Sequence, residues 1–123
     1  MTISEVSRKY GLSQDTLRYY ERIGAIPLVH RNASGLRDYQ EEDCSWIELA
    51  KCMRGAGLPI EAIAQYVRLA QEGDETISAR RELLVAQREQ LQKQLTSITQ
   101  AIERLDYKIS RYDEALKTGV LVW

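Results

Sequence analysis

The stretch GLSQDTLRYYERIGAI, residues 11–26, decides the fold of this 123-residue chain. Ser13 is a good N-cap residue, and neither glycine nor proline interrupts the ten residues that follow it. The stretch therefore predicts a helix from Gln14 to about Ile23, entered through a tight turn that contains Gly11.

A shorter helix is predicted immediately before this stretch. Thr2 and Glu5 form the T-x-x-E pattern of a capping box, which places a helix over residues 3–10. Two short helices joined by a tight glycine-containing turn are the helix-turn-helix pattern, although unrelated helical hairpins share this spacing.

The helical phase separates the aromatic residues of the second helix. Leu17 and Tyr20 lie three apart on an inward stripe, so Tyr20 is predicted to belong to the core. Arg18 and Tyr19 fall on the outward face, where they suit contacts with phosphates and base edges in a major groove. An ordinary solvated face is the alternative interpretation of the same pattern.

Residues 26–39, IPLVHRNASGLRDY, predict a small β-hairpin wing, because an Asn-Ala-Ser-Gly turn separates two short flanks. Arg31, Arg37 and Tyr39 lie on this wing and would supply donors to phosphate groups beside the second helix. His30, the only histidine, is expected to face solvent.

Two more helices are predicted over residues 41–55 and 59–71. Acidic residues lead the first of them and basic residues close it, as the helix dipole favours. Its predicted buried stripe consists of Trp46, Leu49, Ala50 and Met53.

The final segment carries a heptad seam. From Leu91, apolar or aromatic residues recur in steps of four and three at positions 95, 98, 102, 105, 109, 112 and 116. Toward the N-terminus, apolar residues and arginines alternate along the same seam at positions 77, 81, 84 and 88. The pattern predicts one helix from about Thr76 to Lys117, roughly 60 Å long, that forms a coiled-coil homodimer. The heptads alone permit parallel or antiparallel pairing.

The predicted fold class is all-α (mostly): a winged helix-turn-helix head with a small β-hairpin wing, followed by a long coiled-coil dimerisation helix. The predicted domains are a DNA-binding domain over residues 1–72 and a dimerisation helix with a short tail over residues 73–123. No apolar run approaches the roughly 18 residues of a membrane span, and no secretory signal opens the chain, so no membrane partner is expected. The expected location is the cytoplasm, and a DNA-binding role would imply association with the nucleoid.

The segment ISEVSRKYGLSQDTLRYYERIGAIP, residues 3–27, closely resembles the opening of the MerR family of bacterial transcription regulators. The wing sequence RNASGLRDY, the DCSWI segment of the third helix and the long terminal helix follow in the family's order, so the resemblance covers essentially the whole chain. It implies a winged-helix head and an antiparallel coiled-coil dimer. Such dimers bind double-stranded promoter DNA and distort it, bringing promoter elements into register for RNA polymerase.

The resemblance also implies roles for individual residues. Arg18 and Tyr19 would contact DNA from the second helix with Thr16 beside them, and Arg37 and Tyr39 would do so from the wing. Leu36 departs from the family, which often has tyrosine at this position. The complete set of predicted DNA-binding residues is Ser13, Thr16, Arg18, Tyr19, Arg31, Arg37 and Tyr39.

The signal that such a regulator reads is predicted from its cysteines. Neither the long helix nor the tail contains cysteine or histidine, and Cys44 and Cys52 are too far apart on one helix to share a metal, so no metal or cofactor is expected. The stretch WIELAKCMRGAGLPIE resembles the branch of the family that senses aldehydes and thiol-reactive electrophiles through a cysteine at the position of Cys52. Lys51 and Arg54 are nearby cations that would favour a thiolate. A semi-buried, unreactive Cys52 is the alternative, and by phase Cys44 is expected on the outward face of the helix.

Other functional classes remain open at this point. An architectural DNA-binding or coiled-coil interaction protein without a sensing cysteine is the second interpretation. An enzyme is not expected, because the chain has no phosphate-binding glycine loop and no constellation of catalytic residues.

Overall fold

The computed structural model describes the whole chain, residues 1–123. The chain is mostly helical, as predicted, and a short 3-10 turn precedes the last helix. The helices are α1 (Ile3–Tyr10), α2 (Gln14–Ile23), α3 (Glu41–Gly55), α4 (Ile60–Glu72) and α5 (Ile77–Thr118). None of these helices has a segment that is both long and apolar enough to cross a membrane.

Both helices of the helix-turn-helix begin at the predicted caps. Thr2 and Glu5 form a complete capping box at the start of α1, with each side chain bonded to the other residue's backbone N–H. Gly11 ends α1 in the left-handed region with φ of 65°, which only glycine adopts readily. The N-cap of α2 is Ser13, whose hydroxyl accepts the backbone N–H of Thr16 at 3.0 Å.

The core of the head is built from apolar side chains of all four short helices and of the segment between α2 and α3. Leu17 and Tyr20 of α2 are buried, which confirms their predicted inward stripe. The largest fully buried side chains are Val6, Leu17, Ile26, Tyr39, Ile47 and Ile63.

The buried face of α3 differs from the prediction. Ala50 and Met53 are buried as expected, but Trp46 and Leu49 are only half-buried. The fully buried face also contains Asp43, Cys44 and Ile47. The prediction was wrong because it centred the buried stripe on Trp46 and Leu49, whereas the helix is rotated so that Asp43, Cys44 and Ile47 face the core.

The wing is shorter than a regular hairpin. One antiparallel bridge joins Arg31 to Arg37, and the backbone N–H of Asn32 donates to the carbonyl of Leu36 at 2.9 Å. The Asn32 side chain accepts the backbone N–H of Ser34 at 3.0 Å, and it also accepts that of Leu36. These bonds hold the turn and keep the two flanks antiparallel.

The chain divides into two compact units, Met1–Gln87 and Arg88–Trp123, and α5 belongs in part to each. In the first unit, the Thr76 hydroxyl donates to the carbonyl of Leu69 at 2.6 Å, which fixes the start of α5 to the end of α4. The boundary predicted between residues 72 and 73 stays a prediction.

The second unit combines an exposed apolar seam with a folded-back tail. The seven seam positions from 95 to 116 are each more than half exposed. The ring of Trp123 packs edge-on against Tyr112, with centroids 5.6 Å apart, and Lys108 Nζ lies 4.1 Å from the Trp123 centroid. The backbone carbonyl of Val122 accepts Arg111 Nε at 2.6 Å, so the tail is tied to the last turns of its own helix.

Candidate nucleic-acid interface

The outward face of α2 carries the two residues that the sequence singled out. Tyr19 is 37% exposed, and the Arg18 side chain is also exposed. Arg18 donates to the carboxylate of Asp15 at 3.1 Å and to the Gln14 side chain at 3.3 Å, which holds its guanidinium along the helix surface. The Arg22 guanidinium lies 5.4 Å from the Tyr19 ring centroid. The face therefore presents two cations beside one aromatic ring.

Ser13 and Thr16 lie at the N-terminal end of the same helix. Their hydroxyl oxygens are 2.8 Å apart, and the backbone N–H of Thr16 donates to Ser13 Oγ. The first turn of a helix has backbone N–H groups without intrahelical partners and a favourable dipole for anions. This end of α2 has the chemistry that binds a phosphate group.

A buried glutamate joins α2 to the wing, although its role was not predicted from the sequence. Glu21 is only 8% exposed. Its carboxylate accepts the Arg37 Nε at 2.8 Å and the backbone N–H of Val29 at 3.0 Å. The helical phase contained a signal for this, because Glu21 follows Leu17 by four residues and lies beside Tyr20 on the inward side.

The two wing arginines have different environments. Arg31 is exposed and donates to the carbonyl of Gly35 at 2.8 Å, across the turn. The Arg37 side chain is 24% exposed, because Glu21 holds its Nε side against the head. Leu36, between them in the turn, projects into solvent. The wing therefore offers one exposed arginine that is bonded only within its own turn and one that Glu21 holds against the head.

The position of Tyr39 does not agree with the prediction that its side chain contacts DNA from the wing. Its side chain is 2% exposed and belongs to the core, and its hydroxyl has no hydrogen-bond partner. Burial raises the pKa of this hydroxyl. The backbone N–H of Tyr39 donates to the carbonyl of Met1 at 2.8 Å, which holds the residue beside the start of α1.

His30 is exposed, as predicted, yet it makes a specific contact. Its Nδ1 lies 2.8 Å from the buried carboxylate of Asp43 at the start of α3. The same carboxylate oxygen accepts the backbone N–H of Gln40 at 2.8 Å, which caps the helix. The hydrogen bond to Asp43 and its negative charge raise the pKa of His30.

The two cysteines lie in the opposite order of exposure from the prediction. Cys44 is buried beside Tyr10, whereas Cys52 is exposed. The physical reason is the rotated inward face of α3, which includes Cys44 and leaves Cys52 on the solvent side. Lys51 donates to the carbonyl of Tyr10 at 2.6 Å, and Arg54 donates to that of Leu58 at 2.9 Å. The chain has no group of three or more His, Cys, Asp or Glu side chains placed to hold a metal ion.

The second helix is capped and has a basic, aromatic outward face, and an ion pair with a buried glutamate joins it to a short wing that carries arginines. These features define a winged helix-turn-helix protein. The chain belongs to the MerR HTH family of regulatory proteins, because residues 1–70 match that family. Residues 45–107 also match the region described as MerR, DNA binding. The resemblance to the MerR family that the sequence showed is confirmed.

Individual relatives agree with this assignment. The HTH-type transcriptional regulator AdhR of Bacillus subtilis (strain 168) is 54% identical over 91 residues, which are 74% of this chain and 65% of AdhR. The match therefore spans slightly less than two thirds of the length of that relative. A solved MerR family transcriptional regulator from Listeria monocytogenes has a TM-score of 0.91 and 48% identity, covering 97% of this chain and 90% of that one. HiNmlR, a MerR family regulator lacking the sensor domain and bound to promoter DNA, has a TM-score of 0.83 and 28% identity, with coverage of 98% and 95%.

Proposed function

We propose that this chain is a homodimeric transcription regulator that binds double-stranded promoter DNA through α2 and the wing. The observation that carries the proposal is the basic face of α2, with Arg18 and Tyr19 directed outward and Glu21 fixing the wing beside it. The HiNmlR complex with promoter DNA supports the same mode of binding for this chain. RNA polymerase at the promoter is the proposed downstream partner.

The proposed contacts divide into two kinds. The hydroxyls of Ser13 and Thr16 and the guanidinium groups of Arg31 and Arg37 are donors suited to phosphates, which position the protein without reading sequence. Arg18 and Tyr19 lie at the middle of α2, where a helix placed in the major groove meets base edges.

Homodimer formation is supported by the exposed seam of α5. A stripe of leucine, isoleucine and tyrosine side chains, each more than half exposed over positions 95–116, is a surface that a second helix would bury. A dimer would present two heads and so bind two half-sites. Distortion of the DNA between those half-sites would control transcription.

We further propose that Cys52 senses an aldehyde or another thiol-reactive electrophile. Its exposure on α3 gives a small electrophile direct access, whereas Cys44 is enclosed by the core. With an aldehyde, the Cys52 thiol would lose its proton, the sulfur would bond to the carbonyl carbon as the C=O π bond breaks, and the oxygen would take up a proton, giving a hemithioacetal. The identity to AdhR, which covers the stretch that contains Cys52, supports a sensory role without naming the inducer.

The test combines DNA retardation with in-vitro transcription, using the chain's own promoter fragment at stated salt. The proposal expects wild type and Cys52→Ala to bind the fragment in preference to random DNA, with only wild type responding to a small aldehyde. Cys44→Ala is the matched control and should respond like wild type. Equal responses of wild type and Cys52→Ala would remove the sensing proposal, and binding without preference would favour an architectural protein instead.

A further inference from the structure

Two arginines interrupt the apolar seam of α5. Arg81 and Arg88 occupy seam positions seven residues apart, where the same phase farther along has leucine and isoleucine. Arg81 pairs with Glu82 of its own chain through an exposed contact of 3.3 Å. Exposed pairs of this kind contribute little to stability, so this contact does not explain a cation within the seam.

Two aspartates match these arginines in spacing. Asp106 follows the seam residue Leu105, and Asp113 follows the seam residue Tyr112. These aspartates are also seven residues apart, so they flank the seam at the same heptad position in successive repeats. In a single alignment of two helices, each arginine of one helix can therefore lie beside one aspartate of the other.

We propose that α5 pairs with α5 of a second copy of the chain. The two helices are antiparallel, and Arg81 and Arg88 select a single register. In this register, Arg88 lies opposite Leu105 and Asp106 of the partner subunit, and Arg81 lies opposite Tyr112 and Asp113 of the partner subunit. Each dimer then contains four arginine–aspartate contacts across the seam. This inference rests on the proposed homodimer, but it specifies which residues meet.

The same register pairs every seam position of the helix. Leu95 lies opposite Ile98 of the partner subunit near the two-fold axis, and Ile77 lies opposite Leu116 of the partner subunit near the helix ends. All of these positions belong to α5, which runs from Ile77 to Thr118. The apolar side chains that are exposed in the single chain are thereby covered along the full seam.

Registers shifted by one heptad satisfy only one arginine each. One shift places Arg88 beside Asp113 of the partner subunit but Arg81 opposite Gly119, beyond the end of the helix. The other shift places Arg81 beside Asp106 of the partner subunit. It leaves Arg88 beside Ile98 of the partner subunit and Thr99 of the partner subunit, neither of which is charged. Polar residues at seam positions commonly select one alignment in this way, because the alternatives leave them unpaired.

Parallel pairing in register is disfavoured by the same residues. It would place Arg81 opposite its own copy and Arg88 opposite its own copy, with like charges facing each other in two successive repeats of an apolar seam. The family resemblance implied the antiparallel orientation, whereas the register follows from the positions of these charges.

Disulfide trapping in the full chain tests the register directly. Two variants are made in a Cys52→Ala background, Leu91→Cys and Ile102→Cys. Their thiols lie on different chains and face each other only in the proposed register. Oxidising a mixture of the two variants should give an interchain disulfide, but each variant alone should not, because identical positions lie about 16 Å apart. A disulfide formed by Leu91→Cys alone would show parallel pairing and overturn the proposal. Preferential trapping of Leu91→Cys with Leu95→Cys, or with Ile109→Cys, would overturn it in favour of a shifted register.

Charge exchange tests the residues that select the register. Arg81→Glu with Arg88→Glu, or Asp106→Arg with Asp113→Arg, should each weaken self-association by about tenfold or more in analytical ultracentrifugation. A mixture of the two double variants restores opposite charges at all four contacts and should recover wild-type association. Failure of the mixture to recover would overturn the role of these residues. Wild type that stays monomeric throughout would remove the homodimer itself, whereas a dimer trapped in another register would remove only this inference.

Discussion

Glu21 of α2 and Arg37 of the wing form an ion pair with an Oε1–Nε distance of 2.8 Å, and the glutamate is buried. Replacing Arg37 with alanine would leave this buried carboxylate with only the backbone N–H of Val29 as a partner. We expect Arg37→Ala to lower the free energy of unfolding by about 2–3 kcal/mol, less than for a fully buried pair because Arg37 is partly exposed. Urea unfolding measures this change. Arg31→Ala, on the opposite flank of the wing, should change the same free energy by no more than about 0.5 kcal/mol.

The outward arginine of α2 should affect DNA binding without affecting stability. Arg18→Ala removes an exposed guanidinium whose partner, Asp15, is itself solvated. We expect promoter affinity to fall by about tenfold or more and the slope of log affinity against log salt to decrease by up to about one unit. Arg104→Ala removes the same charge from α5, outside the seam and the head, and serves as the control. Equal losses in both variants would indicate general electrostatics rather than a contact made by Arg18.

The buried hydroxyl of Tyr39 has no hydrogen-bond partner, so its removal should not harm the fold. Tyr39→Phe is expected to leave the free energy of unfolding unchanged or to raise it by about 1 kcal/mol, because an unsatisfied buried polar atom is removed. Promoter affinity should stay at the wild-type value. A loss of affinity in a stably folded Tyr39→Phe protein would restore this hydroxyl as a DNA contact.

His30 should make stability depend on pH. Its pKa is raised by Asp43, with Glu42 and Asp38 contributing in the same direction. A raised pKa in the folded state means that protonated His30 stabilises the fold fully below the ordinary pKa near 6.5. This contribution is lost as the pH rises through the higher folded-state value. Thermal unfolding of wild type between pH 5.5 and about 8.5 should show the decline. The difference between wild type and His30→Gln should shrink as the pH rises; a constant difference would contradict the assignment.

The two thiols should differ in their accessibility to alkylation. Cys52 is on the surface of α3, and Cys44 is in the core beside Tyr10. Iodoacetamide should therefore modify Cys52 in the native protein and reach Cys44 only after local or global unfolding. Peptide mass spectrometry over a time course separates the two sites. Early modification of Cys44 would mean that α3 opens more readily than its packing indicates.

The local parts of this fold could be predicted because short-range chemistry determines them. The caps Thr2 and Ser13 place the starts of α1 and α2 at the predicted residues, and Gly11 supplies the turn between them. The seam of α5 was also visible, because its repeat is long and regular. The predicted face of α2 was correct for the same reason, since one stripe of apolar residues fixes its phase.

The parts that were missed depend on contacts between distant segments. The phase of α2 places Glu21 on the inward side, but no local pattern predicts its ion pair with Arg37 or its bond to Val29, which lie farther along the chain. The phase of α3 was misjudged because Trp46 dominates its apolar pattern, although the helix packs with Cys44 inward. Tyr39 resembles an exposed wing residue in sequence and becomes core only when the chain folds back over α1.

The contact of Trp123 with Tyr112 and Lys108 gives the second unit an optical probe of its own. The only other tryptophan, Trp46, lies half-buried in the first unit. A variant that retains only Trp46 would therefore emit from the head, and one that retains only Trp123 would emit from the end of α5. Because the Trp123 ring lies beside a seam residue, its emission should respond to the covering of the seam, so fluorescence would follow assembly separately from folding of the head.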